Sequence, residues 1–165
     1  MSDPSREFTG LATVFDEPPE DWAADAFRPW VELGLGLPMQ LDHDVVIFPS
    51  GGIKEVGKVT DTALLPETST HPAGLLVLGH LYPGPVGDAV IEGVRSPYPD
   101  GRQWGLSIAA AILHEGASVE LAVPFEVSVT LKPVYEQALV LAVAERARVV
   151  WDLLAPARAP ERRTW

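Results

Sequence analysis

The chain has 165 residues, of which 47% are hydrophobic, so it is long enough for one domain with a substantial core and short for two. It contains no cysteine, which excludes disulfides, a thiolate nucleophile and a thiolate metal site. The formal net charge of −11 argues against nucleic-acid binding, because phosphate contacts need a concentrated basic surface.

The first half of the chain predicts strands joined by turns, with one short helix. Alternation of apolar and polar residues, together with the positions of proline and glycine, divides it into four elements. These are a strand at 8–15, a helix at 22–33 interrupted near Pro29, a strand at 39–48 that carries His43, and a strand at 53–65.

The second half predicts more strands and two helices: a strand at 74–81, a helix at 86–94, strands at 104–113, 117–123 and 125–131, and one long helix at 134–154. Because strands and helices do not alternate regularly, a doubly wound sheet is disfavoured. The pattern predicts an α+β fold, a mostly antiparallel β-barrel with a few surrounding helices and a long C-terminal helix.

We expect one domain at 1–154 and a flexible basic tail at 155–165, which has little apolar surface with which to order itself. Five of the twelve Lys and Arg residues lie in the last twenty positions. Such a run is usually a solvated helix end and a loose tail, and the alternative is a docking segment for an acidic partner.

The sequence gives no sign of a membrane segment. Residues 1–7 lack the basic start and apolar stretch of a signal peptide, and the longest apolar run, at 138–144, is far below the ~20 residues that span a bilayer. We expect a soluble, intracellular protein that contacts no membrane.

A base and a nucleophile are available in His43 and Ser107, the pair that a serine hydrolase requires. Asp42 and Asp44 flank His43, but adjacent strand residues point to opposite faces, so neither is expected to orient the imidazole. Glu126 is the best candidate for that role, because its segment alternates polar and apolar residues along a predicted strand. The alternative for Glu126 is an ordinary solvent-facing residue.

Other catalytic patterns fit less well. Gly105-Leu106-Ser107-Ile108-Ala109 approaches the nucleophile elbow of α/β-hydrolases, but the only histidine after it is His114, seven positions on in what is predicted to be the same hairpin. His114-Glu115 lacks the second histidine of a zinc-binding helix, and no phosphate loop is present. We therefore expect no metal and no cofactor.

Six segments, in this order, resemble the prohead proteases of tailed phages, which are related in fold to herpesvirus assemblins. The segments are Gly10 to Phe15, Leu37 to Asp42 before His43, Gly57 to Val59, Gly74 to Val77, Gly105 to Ile108, and Glu126 to Ser128. The resemblance covers roughly residues 8–140. It implies an assemblin-like fold and a serine endopeptidase in which Ser107 is the nucleophile, His43 the base and Glu126 the third catalytic residue.

The resemblance leaves the third catalytic position open, because the viral assemblins have histidine there, so His114 or Glu120 are possible substitutes for Glu126. Many relatives also have glycine where Ala109 stands, which predicts a narrower groove beside Ser107.

The resemblance also implies substrates and a place of action. The substrates would be the scaffolding protein or the scaffolding segment of the major capsid protein, and the protease itself, inside an immature capsid in the host cytoplasm. We further expect a homo-oligomer. Two alternatives remain: a catalytically inactive structural or scaffold-bound assembly protein of the same fold, and, more weakly, a metal-dependent phosphohydrolase suggested by His43-Asp44.

Overall fold

Seven strands form one sheet, with three helices and a short 3-10 helix at Pro4–Arg6 packed around it. The computed structural model describes residues 3–16, 22–34, 36–41, 55–115 and 118–156, without the side chains of 114–120. The elements, in chain order, are β1 (Glu7–Val14), α1 (Ala24–Leu33), β2 (Leu37–Leu41), β3 (Gly57–Leu65), β4 (Gly74–Leu81), α2 (Pro85–Arg95), β5 (Gly105–Glu115), β6 (Ser118–Thr130), β7 (Val140–Val143) and α3 (Glu145–Leu154).

The strand order is β5-β6-β2-β3-β4-β1-β7, and every pair is antiparallel except β2 with β6. The sheet curls until its two ends meet, because Gly105 on β5 forms a bridge with Leu139, just before β7. Two hydrogen bonds flank this bridge, Leu106 N–H to the Ala138 carbonyl at 2.8 Å and Val140 N–H to the Trp104 carbonyl at 3.0 Å. We call this junction the seam. The α+β class and the mostly antiparallel pairing are confirmed.

The main core lies on the face formed by alternate residues of these strands. Met39 of β2, Val127 of β6 and Ile108 of β5 lie opposite one another and contribute to it. A smaller cluster lies where α3 packs its Ala147 and Trp151 against leucines of β1 and β4. The main core takes one set of alternate positions on these strands. The intervening residues of β2, β5 and β6 therefore point to the opposite face of the sheet and are not part of this core.

The predicted break of the first helix near Pro29 is wrong. α1 runs through Pro29 to Leu33, and it ends at Gly34, whose φ of 63° is readily adopted by glycine. Phe27 and Trp30 are buried on either side of Pro29. Their burial offsets the loss of the helical hydrogen bond that proline cannot donate.

The expected strands at 117–123 and 125–131 are one continuous strand, β6. Ala109 pairs with Glu126 and Ala110 with Pro124, so Phe125 is an extra residue on β6. Proline is tolerated at such a β-bulge because the ladder is locally interrupted there. Pro124 therefore bends the strand instead of ending it.

The expected long C-terminal helix at 134–154 is also wrong, because only Glu145–Leu154 is helical. Val140 to Val143 pairs with β1 instead, with Phe8 opposite Val143 and Thr9 opposite Ala142. Ala144, with a φ of 55°, separates β7 from α3. Pairing with a distant strand has overridden an Ala- and Leu-rich composition that favours helix.

The remaining predicted elements agree with the structure to within a few residues where they are described. The strands at 8–15 and 74–81 and the helix at 86–94 are confirmed as β1, β4 and α2. The predicted strand at 39–48 is described only as far as Leu41, and the strand at 53–65 begins at Gly57. Of the tail, 157–165 lies outside the described residues. Within the described ranges, no helix has the length and apolar character that crossing a membrane requires.

Candidate active site

A row of polar side chains crosses three adjacent strands. Ser107 of β5 lies opposite Ser128 of β6, and Ser128 lies opposite Gln40 of β2. Residues opposite one another in a sheet point to the same face, so these three side chains lie on the face turned away from the main core. Glu126 and Thr130 share this face, because each is two residues from Ser128 on the same strand.

This polar face is buried. The exposed fractions are 6% for Ser107, 4% for Gln40, 3% for Glu126, 5% for Thr130 and zero for Ser128. Burying polar groups costs free energy unless they are hydrogen-bonded. Because β6 is buried from Glu126 to Thr130 on its polar face as well as on its apolar face, the polar face marks a candidate site. The alternative, that Glu126 is an ordinary solvent-facing residue, is wrong.

Glu126 and Ser128 are joined by a hydrogen bond. The Ser128 hydroxyl donates to Oε1 of Glu126 at 2.8 Å, and both residues are buried. A hydroxyl held against a carboxylate in this way fixes the orientation of the carboxylate. A carboxylate has about four acceptor positions and can accept from several donors at once, including an imidazole N–H.

The two serines that face each other differ in access and in bonding. Ser107 lines a cavity of about 400 Å³ that is open to solvent, whereas Ser128 is fully buried. In the part of the chain that the structure describes, no hydrogen bond involves the Ser107 hydroxyl. Of the two serines, Ser107 alone is among the described residues that line the cavity, and Ser128 is a structural partner of Glu126.

The cavity has a largely apolar lining. The described residues that line it come from β1, β5, β6, the segment before α1 and the segment after β6: Ala12, Thr13, Trp22, Ser107, Ile108, Ala109, Ala110, Ile112, Phe125, Glu126, Val134 and Tyr135. A few polar groups in an apolar concave surface are typical of a small-molecule or peptide site. Ala109, the residue expected to narrow the groove beside Ser107, is part of this lining.

His43 lies outside the described residues, so its place relative to Ser107 stays a prediction. β2 is described up to Leu41, which lies opposite Val129 of β6. The side chains of His114 and Glu120, the alternatives for the third residue, are also outside the described part. The three assigned roles therefore remain predictions, although Ser107 and Glu126 are brought to one face of two paired strands.

The other histidines that the structure describes lie elsewhere. His71 is in the loop before β4, with Nδ1 3.2 Å from the carbonyl of Pro72. His80 is half-buried near the end of β4. Among the described residues, no three His, Asp or Glu side chains are grouped closely enough to hold a metal ion.

Sequence reasoning did not identify Ser128, Gln40 or the cavity. The alternation Glu126-Val127-Ser128 showed that Glu126 and Ser128 share a face, but not that this face is buried. Gln40 carries the further signal of a polar residue in an apolar strand, and its buried Oε1 has no hydrogen-bond partner in the described structure. Which residues lie opposite depends on strand register, which the sequence does not show.

Neither a protein-family model nor a curated protein matches this sequence. Solved structures with a similar chain path include the protease of Kaposi's sarcoma-associated herpesvirus in complex with a hexapeptide phosphonate inhibitor. That alignment has 15% identity and a TM-score of 0.44, and it covers 81% of this chain and 62% of the herpesvirus chain. The protease of the same virus in complex with an allosteric inhibitor aligns with 14% identity and a TM-score of 0.47, over 88% of this chain and 82% of the other.

Proposed function

We propose that this protein is a serine endopeptidase of the prohead-protease kind, with Ser107 as nucleophile, His43 as general base and Glu126 as the residue that orients His43. The observation that carries the proposal is that Ser107 and Glu126 meet at one cavity beside a serine that holds the carboxylate. Ser107 and Glu126 both line the cavity, whereas Ser128 on the same face is fully buried and donates a hydrogen bond to Glu126. A nucleophile needs access, and an orienting carboxylate needs a fixed position.

The sheet gives Ser107 and Glu126 a suitable separation. Ser107 lies opposite Ser128, two residues from Glu126, so Ser107 and Glu126 are diagonal neighbours on one face. Diagonal neighbours in an antiparallel pair are about 7–8 Å apart, which leaves room for a ring between the two functional groups. β2 ends two residues before His43, a length of chain that spans at most about 7 Å.

In the proposed reaction, the Ser107 hydroxyl oxygen attacks the peptide carbonyl carbon while His43 accepts the hydroxyl proton. The carbon–nitrogen bond then breaks, and His43 returns the proton to the leaving amine. A water molecule attacks the resulting ester by the same proton transfers and frees Ser107. Glu126 accepts a hydrogen bond from the second imidazole N–H and stabilises the charged ring. Backbone N–H groups must stabilise the oxyanion, at roughly 3 kcal/mol per donor.

We propose, from the resemblance, that the substrates are the scaffolding protein or the scaffolding segment of the major capsid protein, and the protease itself. Cleavage would take place inside the immature phage capsid in the host cytoplasm, with the protease as a homo-oligomer. The basic tail at 155–165 would then serve either as a loose end or as a tether to an acidic scaffold, and only a tether would lose its effect at high salt.

The test is a serine-directed fluorophosphonate probe, followed by mass spectrometry of the labelled peptide. We expect a single label on Ser107, none on Ser128, and no label on the Ser107→Ala variant. Co-expression with the capsid and scaffolding proteins should give processed products that disappear in Ser107→Ala. A protein that takes no label and processes no partner would instead be a non-catalytic assembly component.

A further inference from the structure

The cavity beside Ser107 is built to receive an apolar group. Half of its twelve described lining residues have large aliphatic or aromatic side chains: Trp22, Ile108, Ile112, Phe125, Val134 and Tyr135. Ser107 and Glu126 lie at the same cavity. A substrate that presents a peptide bond to Ser107 must therefore place neighbouring atoms against this apolar wall.

The rim of the cavity is apolar as well, and it is solvent-exposed. Phe125 is 57% exposed, Val134 54% and Ile112 39%. Large apolar side chains grouped at one surface commonly mark a binding site, whereas isolated ones need no explanation. Here the group adjoins the proposed nucleophile, which makes the substrate its natural occupant.

The volume and charge of the cavity limit what can enter. A cavity of about 400 Å³ lies within the usual range for ligand sites and can take more than one side chain of leucine size. Glu126 is the one charged side chain among the described residues that line it. An acidic substrate side chain would meet that carboxylate in an apolar setting, which is unfavourable.

We infer that the substrate of this site is a peptide segment with a bulky apolar side chain, such as leucine or phenylalanine, beside the bond to be cleaved, and that acidic residues at that position are rejected. This inference deepens the proposed function and rests on it. The leucine side chain has three more carbon atoms than that of alanine. Burial of these carbon atoms in the cavity should raise kcat/KM for the leucine peptide roughly 50-fold over the alanine peptide.

The experiment compares peptides in which each residue flanking the scissile bond is in turn alanine, leucine, phenylalanine or glutamate. At one flanking position, we expect kcat/KM to be roughly 50-fold higher with leucine than with alanine, and lower with glutamate than with alanine. Equal rates for leucine and alanine at every flanking position would overturn the inference.

A matched pair of variants links this preference to the cavity. Phe125 lines the cavity, whereas Val123, two residues away on β6 and 52% exposed, is not among its described lining residues. Phe125→Ala should reduce the leucine-to-alanine ratio by about tenfold, and Val123→Ala should leave it unchanged. Equal effects of the two substitutions would show that the preference arises elsewhere.

A binding measurement separates this inference from the proposed function. Fluorescence anisotropy with Ser107→Ala and uncleaved labelled peptides reports occupancy without chemistry. Tighter binding of the leucine peptide than the alanine peptide supports the inference even if wild-type protein takes no fluorophosphonate label. Labelling of Ser107 with equal binding of the two peptides supports the proposed function and overturns the inference.

Discussion

The substitution Ser128→Ala tests whether the carboxylate of Glu126 is held by a hydrogen bond in a buried setting. It removes the hydroxyl that donates to Oε1 at 2.8 Å and leaves the carboxylate with one donor fewer. A hydrogen bond to a charged group contributes about 1.5–3 kcal/mol, and Ser128 is fully buried, so water cannot readily replace the donor. The free energy of unfolding should fall by that amount.

For a protein of this size, about 1 kcal/mol shifts the melting temperature by roughly 2–4 °C, so we expect Ser128→Ala to melt about 3–12 °C lower. The assay is thermal unfolding followed by circular dichroism, with urea unfolding as an independent measure. Ser107→Ala is the first control. No hydrogen bond of the Ser107 hydroxyl is found in the described residues, so this variant should keep the wild-type melting temperature while losing activity.

Ser5→Ala is the second control, because the chain has the same kind of serine-to-carboxylate hydrogen bond at its surface. The Ser5 hydroxyl donates to Asp3 Oδ1 at 2.7 Å, also two residues apart, but both residues are exposed. Water replaces a hydroxyl lost from this pair, so the melting temperature should barely change. If Ser128→Ala melts at the wild-type temperature, the argument that burial makes this bond important is refuted.

Three further predictions follow, two from the site and one from the hydrogen bonds between Ser5 and Asp3. Ser107→Ala and His43→Ala should be equally inactive in a peptide-cleavage assay, and the double variant should be no worse than either. The reason is that the effects of substituting residues of one catalytic unit are strongly non-additive. Multiplicative losses in the cleavage rate would contradict this prediction. Glu126→Gln should lose less activity in the same assay than Ser107→Ala, and full activity would exclude Glu126 as the orienting residue. The hydrogen bonds from Ser5 lower the pKa of Asp3. The stabilisation that these bonds give is therefore present above the ordinary pKa of Asp3 and is lost as the pH falls through the lowered pKa. An NMR titration of Ser5→Ala should find the pKa of Asp3 closer to its ordinary value, and an unchanged pKa would contradict this.

The elements that local pattern determines were predictable, and those that depend on distant pairing were not. The apolar run at 74–81 is β4, and the helical spacing at 86–94 is α2. The Ala- and Leu-rich segment before α3 is compatible with helix on its own, and only β1 makes Val140 to Val143 a strand. Pro124 similarly reads as a strand end, because proline donates no ladder hydrogen bond, and only its partner strand turns it into a bulge.

The candidate site divides in the same way. Ser107 and Glu126 were predictable as candidates, because their segments carry the resemblance and the strand alternation. Their burial, their diagonal placement and the donation from Ser128 result from the register between β5 and β6. A shift of one residue in that register would turn the polar side chains to the other face, and no local pattern in either strand alone specifies which register forms.

The seam determines how late in synthesis the fold around Ser107 can be completed. β1 is synthesised before the other described strands, yet its second neighbour in the sheet, β7, is the last of them to leave the ribosome. Gly105, two residues before Ser107, likewise can form its bridge only after Leu139 has been synthesised. Contacts between such distant parts of a chain form late in folding, because the loop between them must first be closed. A nascent chain that already contains Ser107 and Glu126 therefore still lacks the junction beside Ser107, and we expect the proposed cleavage to begin only after β7 has been made.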